Sequence, residues 1–155
     1  SAKRRLKKIG QRENRWMSDI NHQVTKTLVD RYGSGTVFTI EDLTNVRFAT
    51  EKVAKTIRYE QVSWAFYQFE QFLTYKAEMI GSTVIKVDAH YTSQRCPKCG
   101  SINKNNRNHA LHEYHCANCG YRSNDDRIGS MNIQFLGTNW VTNKPTKFTK
   151  LTATE

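Results

Sequence analysis

Four cysteines stand in two pairs, Cys96-Pro97-Lys98-Cys99-Gly100 and Cys116-Ala117-Asn118-Cys119-Gly120, with sixteen residues between the pairs. The two-residue spacing within each pair makes a tight turn that aims both thiols at one point, and the glycine that follows lets backbone amides approach the sulfurs. Four soft ligands arranged in this way close a tetrahedral zinc site, the pattern of a zinc ribbon. Two disulfides are the competing use, but they need an oxidising compartment, and no charged segment leading into an apolar one marks this chain for export. Four thiolates leave no coordination position for a water, so the expected Zn2+ holds structure and any catalysis lies elsewhere. His109, His112 and His115 lie inside the loop between the pairs and could each replace a cysteine, though four thiolates already suffice.

Two carboxylates are the other candidates. Glu41 follows the β-branched run Thr36-Val37-Phe38-Thr39-Ile40, and Asp126 precedes a helical pattern through Ile128, Met131, Ile133 and Leu136. Strand ends are where open α/β folds place their chemistry, and hard cations such as Mg2+ or Mn2+ take oxygen ligands. By residue type alone the commoner roles are plainer: a turn or cap acid for Glu41, an N-cap for Asp126. Asp42 and Asp125 stand beside them as the rival choices. No Gly-rich phosphate loop appears, and no Ser, His and Asp set has a nucleophile's context, so hydrolase triads gain no support.

These residues need elements to hold them. Leu6, Ile9, Trp16, Ile20, Val24 and Leu28 recur at helical steps, which predicts a long amphipathic helix over 3–32 that ends at Gly33-Ser34-Gly35. Its other face carries Lys3, Arg4, Arg5, Lys7, Lys8, Arg12 and Arg15, either solvated or set against a nucleic-acid backbone. A strand over 36–40 follows. A second helix is expected over about 51–80, with Val62, Phe66, Phe69, Leu73, Ala77 and Ile80 on one face and Trp64, Tyr67 and Tyr75 on another. Such a helix is more often packed between layers than used to stack bases. Thr83-Val84-Ile85-Lys86-Val87 is a second strand, then come the cysteines and a short last helix, and the tail from Thr138 reads as extended or disordered.

The charge balance names a class of partner. Among 155 residues, 24 Lys and Arg oppose 14 Asp and Glu, a net charge of +10, so a polyanion is expected. Lys104 and Arg107 sit among asparagines in the loop between the cysteine pairs, while Arg95, Lys98 and Arg122 flank it; all five are candidate phosphate contacts. No run of apolar residues is long enough to span a bilayer, so no membrane is expected and an intracellular, cytoplasmic site is. The chain opens Ser1-Ala2 without a methionine, which reads as a cloning remnant or an excised fragment.

Several pieces together resemble the C-terminal half of the TnpB/OrfB proteins of insertion sequences, RuvC-like nucleases related to the miniature type V CRISPR effectors. They are Phe38-Thr39-Ile40-Glu41-Asp42-Leu43, Tyr91-Thr92-Ser93-Gln94-Arg95 running into the first cysteine pair, the second pair itself, and Asp126 followed by Asn132-Ile133; in order and spacing they cover roughly residues 3 to 137. The resemblance implies an α/β fold, a partial RNase H-like (RuvC-like) domain with an inserted zinc ribbon and its first β-hairpin missing. Its parts would be 3–91 for the first portion of the core, 92–121 for the ribbon, 122–137 for the last helix of the core and 138–155 for the tail.

It also implies an activity, the cutting of DNA under the direction of a bound guide RNA. Glu41 matches the family's glutamate at the end of the middle strand and Asp126 the aspartate that opens the last helix, both ligands of catalytic Mg2+ or Mn2+. The family's first aspartate has no counterpart, since Asp19 and Asp30 lie within the helical pattern, so this chain by itself is expected to be inactive or weak. Arg127-Ile128-Gly129-Ser130 departs from the small residues that usually follow the final aspartate. The alternatives are a catalytically inactive zinc-ribbon protein that grips nucleic acid, and a zinc domain that assembles with other proteins. A lost hairpin would leave the 36–40 strand with an unpaired edge, so a homodimer or strand exchange is expected.

Overall fold

In a computed structural model the described residues are 1–43 and 64–149. The element order is α1 (Ala2–Tyr32), β1 (Val37–Asp42), α2 (Trp64–Met79), β2 (Thr83–Asp88), a single 3-10 turn (Lys104–Asn106), β3 (Arg107–Asn108), β4 (Glu113–His115), β5 (Arg122–Asn124) and α3 (Asp125–Val141). This is a mixed α/β chain with small sheets: β1 pairs with β2, and β3, β4 and β5 form a second sheet in that order. The expected helix over 51–63, Val62 included, and the end of the tail over 150–155 lie outside the described residues.

The chain divides into two units. One holds residues 1–38 and, of the described residues that follow, 64–84; the other holds 39–43 and 85–149. In the first unit α1 packs on α2. The buried spine of α1 is Asn21, Thr25 and Val29, one residue per turn, set against Leu73 and Ala77 of α2. Polar groups are satisfied across this seam: Asn21 Nδ2 donates to Gln68 Oε1 at 3.2 Å, and Lys76 Nζ donates to His22 O and to Thr25 Oγ1, each at 2.7 Å. The His22 ring stacks on Phe72 with centroids 3.7 Å apart. Burial and the nearby Lys26 charge hold the Lys76 ammonium below its ordinary pKa.

The apolar stripe expected on α1 is not the buried one. Leu6, Ile9 and Trp16 are 68%, 54% and 62% exposed and Val24 is 44% exposed. The buried residues Asn21, Thr25 and Val29 lie on a different face of the helix, the one that meets Leu73 and Ala77. On α2, Leu73 and Ala77 are buried as expected, while Phe66, Tyr67 and Tyr75 are exposed. Gly33 closes α1 with φ 71°, and its amide reaches back to Val29 O at 3.0 Å. A side chain there would be strained, which is why the helical pattern stops at this residue.

The second unit is built on the cysteines and α3. Cys96, Tyr114, Cys116 and Ile128 form its buried cluster, with Tyr121 packed against them. Antiparallel register places Arg107 opposite Tyr114, and Tyr114 opposite Ser123. The sheet of the cysteine region thus runs to Asn124, three residues past the expected ribbon boundary of 121. Asn124, not Asp126, is the N-cap of α3: its side chain accepts the amides of Asp126 at 3.0 Å and Arg127 at 3.2 Å.

Ile128, Asn132 and Leu136 form the fully buried stripe of α3. Gly137 follows, and a Cβ built there would collide with the Thr39 side chain of β1, so only glycine lets the helix lie this close to the strand. The helix then continues to Val141, so residues 138–141 are helical where an extended tail was expected. Nothing stops it sooner, because no proline occurs before Pro145, and Thr138 and Thr142 satisfy their hydroxyls on carbonyls one turn back.

Candidate functional site

Each cysteine pair is closed by its glycine. Gly100 and Gly120 take φ of 76° and 71°, and their amides donate to Cys96 O and Cys116 O, each at 2.9 Å. The same turns bring the Ser101 amide to Cys99 and the Tyr121 amide to Cys119. The two pairs face each other: Cys96 Sγ lies 3.6 Å from Cys119 Sγ, and Cys99 Sγ lies 3.6 Å from Cys116 Sγ. Zinc–sulfur bonds of about 2.3 Å at tetrahedral angles hold sulfurs about 3.8 Å apart, so the four can hold one metal ion such as zinc.

Without a cation these thiols divide the load unevenly. A hydrogen bond from the Asn118 side chain, with the Ser101 amide, pulls Cys99 down to about 6. The Tyr121 amide favours the Cys119 thiolate, yet burial and the neighbouring thiols push it up to about 12, and burial likewise raises Cys96. A dication would remove the conflict by favouring the thiolate at every position. Tyr114 closes the floor of this cluster, its hydroxyl donating to Gln94 O at 3.1 Å while burial pushes it up to about 12.

Of the expected catalytic carboxylates, Glu41 lies near the end of β1, on the same face of the strand as Thr39. Its Oε1 accepts the Thr92 hydroxyl at 2.6 Å. Thr92 O in turn accepts Asn132 Nδ2 at 2.7 Å, and the same Nδ2 donates to Arg95 O at 2.8 Å. A short chain of hydrogen bonds therefore joins Glu41 to α3, the helix that carries Asp126 in its first turn.

Asp126 is exposed, and its neighbour Asp125 is buried. Arg107 Nε donates to Asp125 Oδ2 at 2.7 Å, which holds the Asp125 carboxyl below its usual range, and Arg107 Nη2 lies 3.7 Å from Asp126 Oδ1. Asp125 Oδ1 is buried without a hydrogen bond, 3.5 Å from His112 Nδ1. His112, Asp125 and Asp126 bring their ligand atoms within 4.8 Å of one another; among the described residues no such group of three contains Glu41.

The expected phosphate contacts fall into two kinds. Lys104 and Arg122 are exposed, and Lys98 is exposed with its Nζ 5.1 Å above the Tyr121 ring. Arg107 is engaged with the aspartates, and Arg95 donates from Nη1 to Asn132 Oδ1 at 3.2 Å while its guanidinium lies 4.9 Å and 4.7 Å from the Phe135 and Phe148 rings. Sequence reasoning named Asp125 only as a rival to Asp126, and Thr92 and Asn132 only as pieces of the resemblance; none of the three was given a role in holding the site. Asn132 had a further signal, a polar residue midway between Ile128 and Leu136 on an otherwise apolar stripe. The contacts of Thr92 with Glu41 and of Asp125 with Arg107 had none, because these partners are far apart in sequence.

The chain is similar to known proteins. Residues 66–133 match the family described as Cas12f1-like, TNB domain. The chain is 38% identical over 117 residues to the CRISPR-associated endodeoxyribonuclease Cas12f1 of Sulfoacidibacillus thermotolerans, covering 73% of this chain and 25% of that protein. It is 32% identical over 129 residues to a TnpB-like protein of Methanocaldococcus jannaschii, covering 83% of this chain and 45% of the relative. The chain thus spans a quarter to somewhat under half of the length of these relatives. A cryo-EM structure of a Cas12f1–sgRNA–target DNA complex has a similar fold, with TM-score 0.62 at 19% identity over 85% of this chain and 38% of that one. Residues 66–133 thus match the Cas12f1-like TNB family, and over most of its length the chain is similar in sequence to Cas12f1 and TnpB-like proteins.

Proposed function

We propose that this chain is the C-terminal part of a transposon-associated, RNA-guided DNA endonuclease that hydrolyses phosphodiesters at a RuvC-like site. In this reading residues 3–91 and 122–137 belong to an RNase H-like core, and 92–121 are a zinc ribbon held by Cys96, Cys99, Cys116 and Cys119. Residues 138–155 lie beyond the core. The observation that carries it is the hydrogen-bonded link from Glu41 through Thr92 and Asn132 to the helix headed by Asp126.

Glu41 and Asp126 are the holders of one Mg2+ or Mn2+ in this chain, and cleavage needs a further carboxylate from sequence outside it. Such ions, when bound, stabilise the attacking and leaving oxygens of an in-line displacement. Glu41 offers its second oxygen from a fixed strand, and Asp126 offers an exposed carboxylate at a helix start. Lys98, Lys104 and Arg122 stand ready to pair with backbone phosphates, and Arg95 and Arg107 order the turns between them. Guide RNA and target DNA are the partners, and the reduced cytoplasm suits thiolate ligation of zinc. A second copy of this chain is a further partner in the same reading.

A second reading, gripping nucleic acid without cutting it, is favoured by one observation: Glu41 stands outside every three-residue ligand group among the described residues. A chimera decides between them. This chain replaces the matching C-terminal quarter of the Sulfoacidibacillus thermotolerans Cas12f1, and guided cleavage is assayed with Mg2+. The nuclease reading expects cleavage that Glu41→Gln and Asp126→Asn each abolish while DNA binding persists; a folded chimera that binds guide and target but leaves DNA intact would support the second reading.

A further inference from the structure

We infer that Thr92 is the positioning residue of the Glu41 carboxylate, and that Asn132 sets Thr92 in place. The inference rests on the reading of Glu41 as a metal ligand and adds to it the device that aims that ligand. Thr92 is 3% exposed, and its hydroxyl lies 2.6 Å from Glu41 Oε1 and 2.9 Å from Ala89 O. A hydroxyl has one proton to give. The shorter contact, to the charged acceptor, takes it, since hydrogen bonds to a carboxylate are the shorter and stronger kind.

Glutamate on a strand has three free torsions, and a ligand that wanders binds an ion weakly. Holding Oε1 on a β-branched side chain, itself stiff at its first torsion, leaves Oε2 pointing in one direction. That stiffness helps only if the Thr92 backbone is itself fixed. Asn132, fully buried, fixes it by donating to both Thr92 O and Arg95 O, while its own oxygen accepts from Arg95 Nη1. Every polar group of the Asn132 side chain is thus spent on the turn from Thr92 to Arg95, and that turn leads directly into Cys96. A lone structural role for Thr92, tying its hydroxyl to the carbonyl of Ala89, would not need Glu41 in reach.

Outer partners that orient a metal ligand are worth about 10- to 100-fold in affinity when removed. Mn2+ binding to the zinc-loaded chain, followed by electron paramagnetic resonance, reads this directly. Thr92→Val should weaken Mn2+ binding about 10- to 100-fold, Thr92→Ser should stay within a factor of about three, and in a Glu41→Gln background Thr92→Val should add no further loss. Zinc content checks that each variant is folded, and Thr92→Ala replaces the valine variant if that one loses its zinc. Unchanged Mn2+ binding in Thr92→Val, with binding lost in Glu41→Gln, overturns the positioning role and leaves the reading of Glu41 standing. An equal loss from Thr92→Val with and without Glu41 shows a structural role and overturns it too. No Mn2+ binding in the wild type, or no effect of Glu41→Gln, removes the reading of Glu41 and this inference with it.

Discussion

The two units of this chain are held together by different physics. In the helical unit α1 and α2 meet along a seam of Val29, Leu73 and Ala77, bridged by Lys76 and Asn21. In the cysteine unit the buried cluster is Cys96, Tyr114, Cys116 and Ile128, so half of it consists of candidate metal ligands. Its strands are two or three residues long, too short to stand alone. Side-chain packing sustains the first unit, whereas the second is built around four cysteines that can hold an ion. The residues proposed for chemistry also lie in the second unit.

Metal removal should separate the two most sharply. Structural zinc contributes on the order of 10 kcal/mol to small domains that bind it. A strong chelator is therefore expected to abolish amide-exchange protection in β3, β4 and β5 while protection along the α1–α2 seam survives; equal loss in both units would erase the distinction. The same site sets a pH dependence. Cys96 and Cys119 are held as thiols because their pKa values are raised, whereas Cys99, at about 6, is largely ionised at neutral pH. Protons compete with the ion for the thiolates, so zinc affinity should climb with pH, by at least about tenfold per unit. Competition with a chromophoric chelator across pH 6 to 8 measures the slope, and a flat profile contradicts it.

The helical unit answers to ordinary packing. Leu73→Ala should cost about 3 kcal/mol there, seen as a lower denaturation midpoint of the α1–α2 pair with zinc content unchanged. Zinc loss in this variant would mean the units do not behave as separate bodies. A smaller effect tests α3 on β1. Gly137→Ala gains helix propensity, which alone would stabilise by about 1 kcal/mol. The collision with Thr39 should outweigh that and leave a net loss of about 1–2 kcal/mol, which Thr39→Ala, lacking the Oγ1 that a new Cβ would meet, partly relieves.

The same contrast explains what could be read from sequence. The cysteine pairs were legible because ligand spacing is local: two residues and a glycine specify a knuckle wherever it occurs. The strands at 37–42 and 83–88 and the three helices were legible from residue type and periodicity. The buried face of α1 was not, because Leu6, Ile9, Trp16 and Val24 look like a core stripe by residue type, whereas the face that meets α2 is Asn21, Thr25 and Val29, two of them polar. Asn124 as the cap of α3 was hidden by the two aspartates after it, either of which is a good cap by type. The Thr92–Glu41 contact spans 51 residues, and no local pattern reports a pairing of that kind. Sequence thus pointed to candidate ligands, while the contacts that hold them were legible only in the fold.

The central claim is that a structural zinc and a separate carboxylate site for a hard cation coexist in this chain. Titrating Mn2+ into wild type, Glu41→Gln and Asp126→Asn, with zinc counted in each sample by elemental analysis, tests it most directly. The account predicts one zinc per chain in all three and Mn2+ binding in the wild type that either substitution weakens at least about tenfold. Mn2+ binding that is unchanged in both variants, or absent from the wild type while zinc is present, would contradict it.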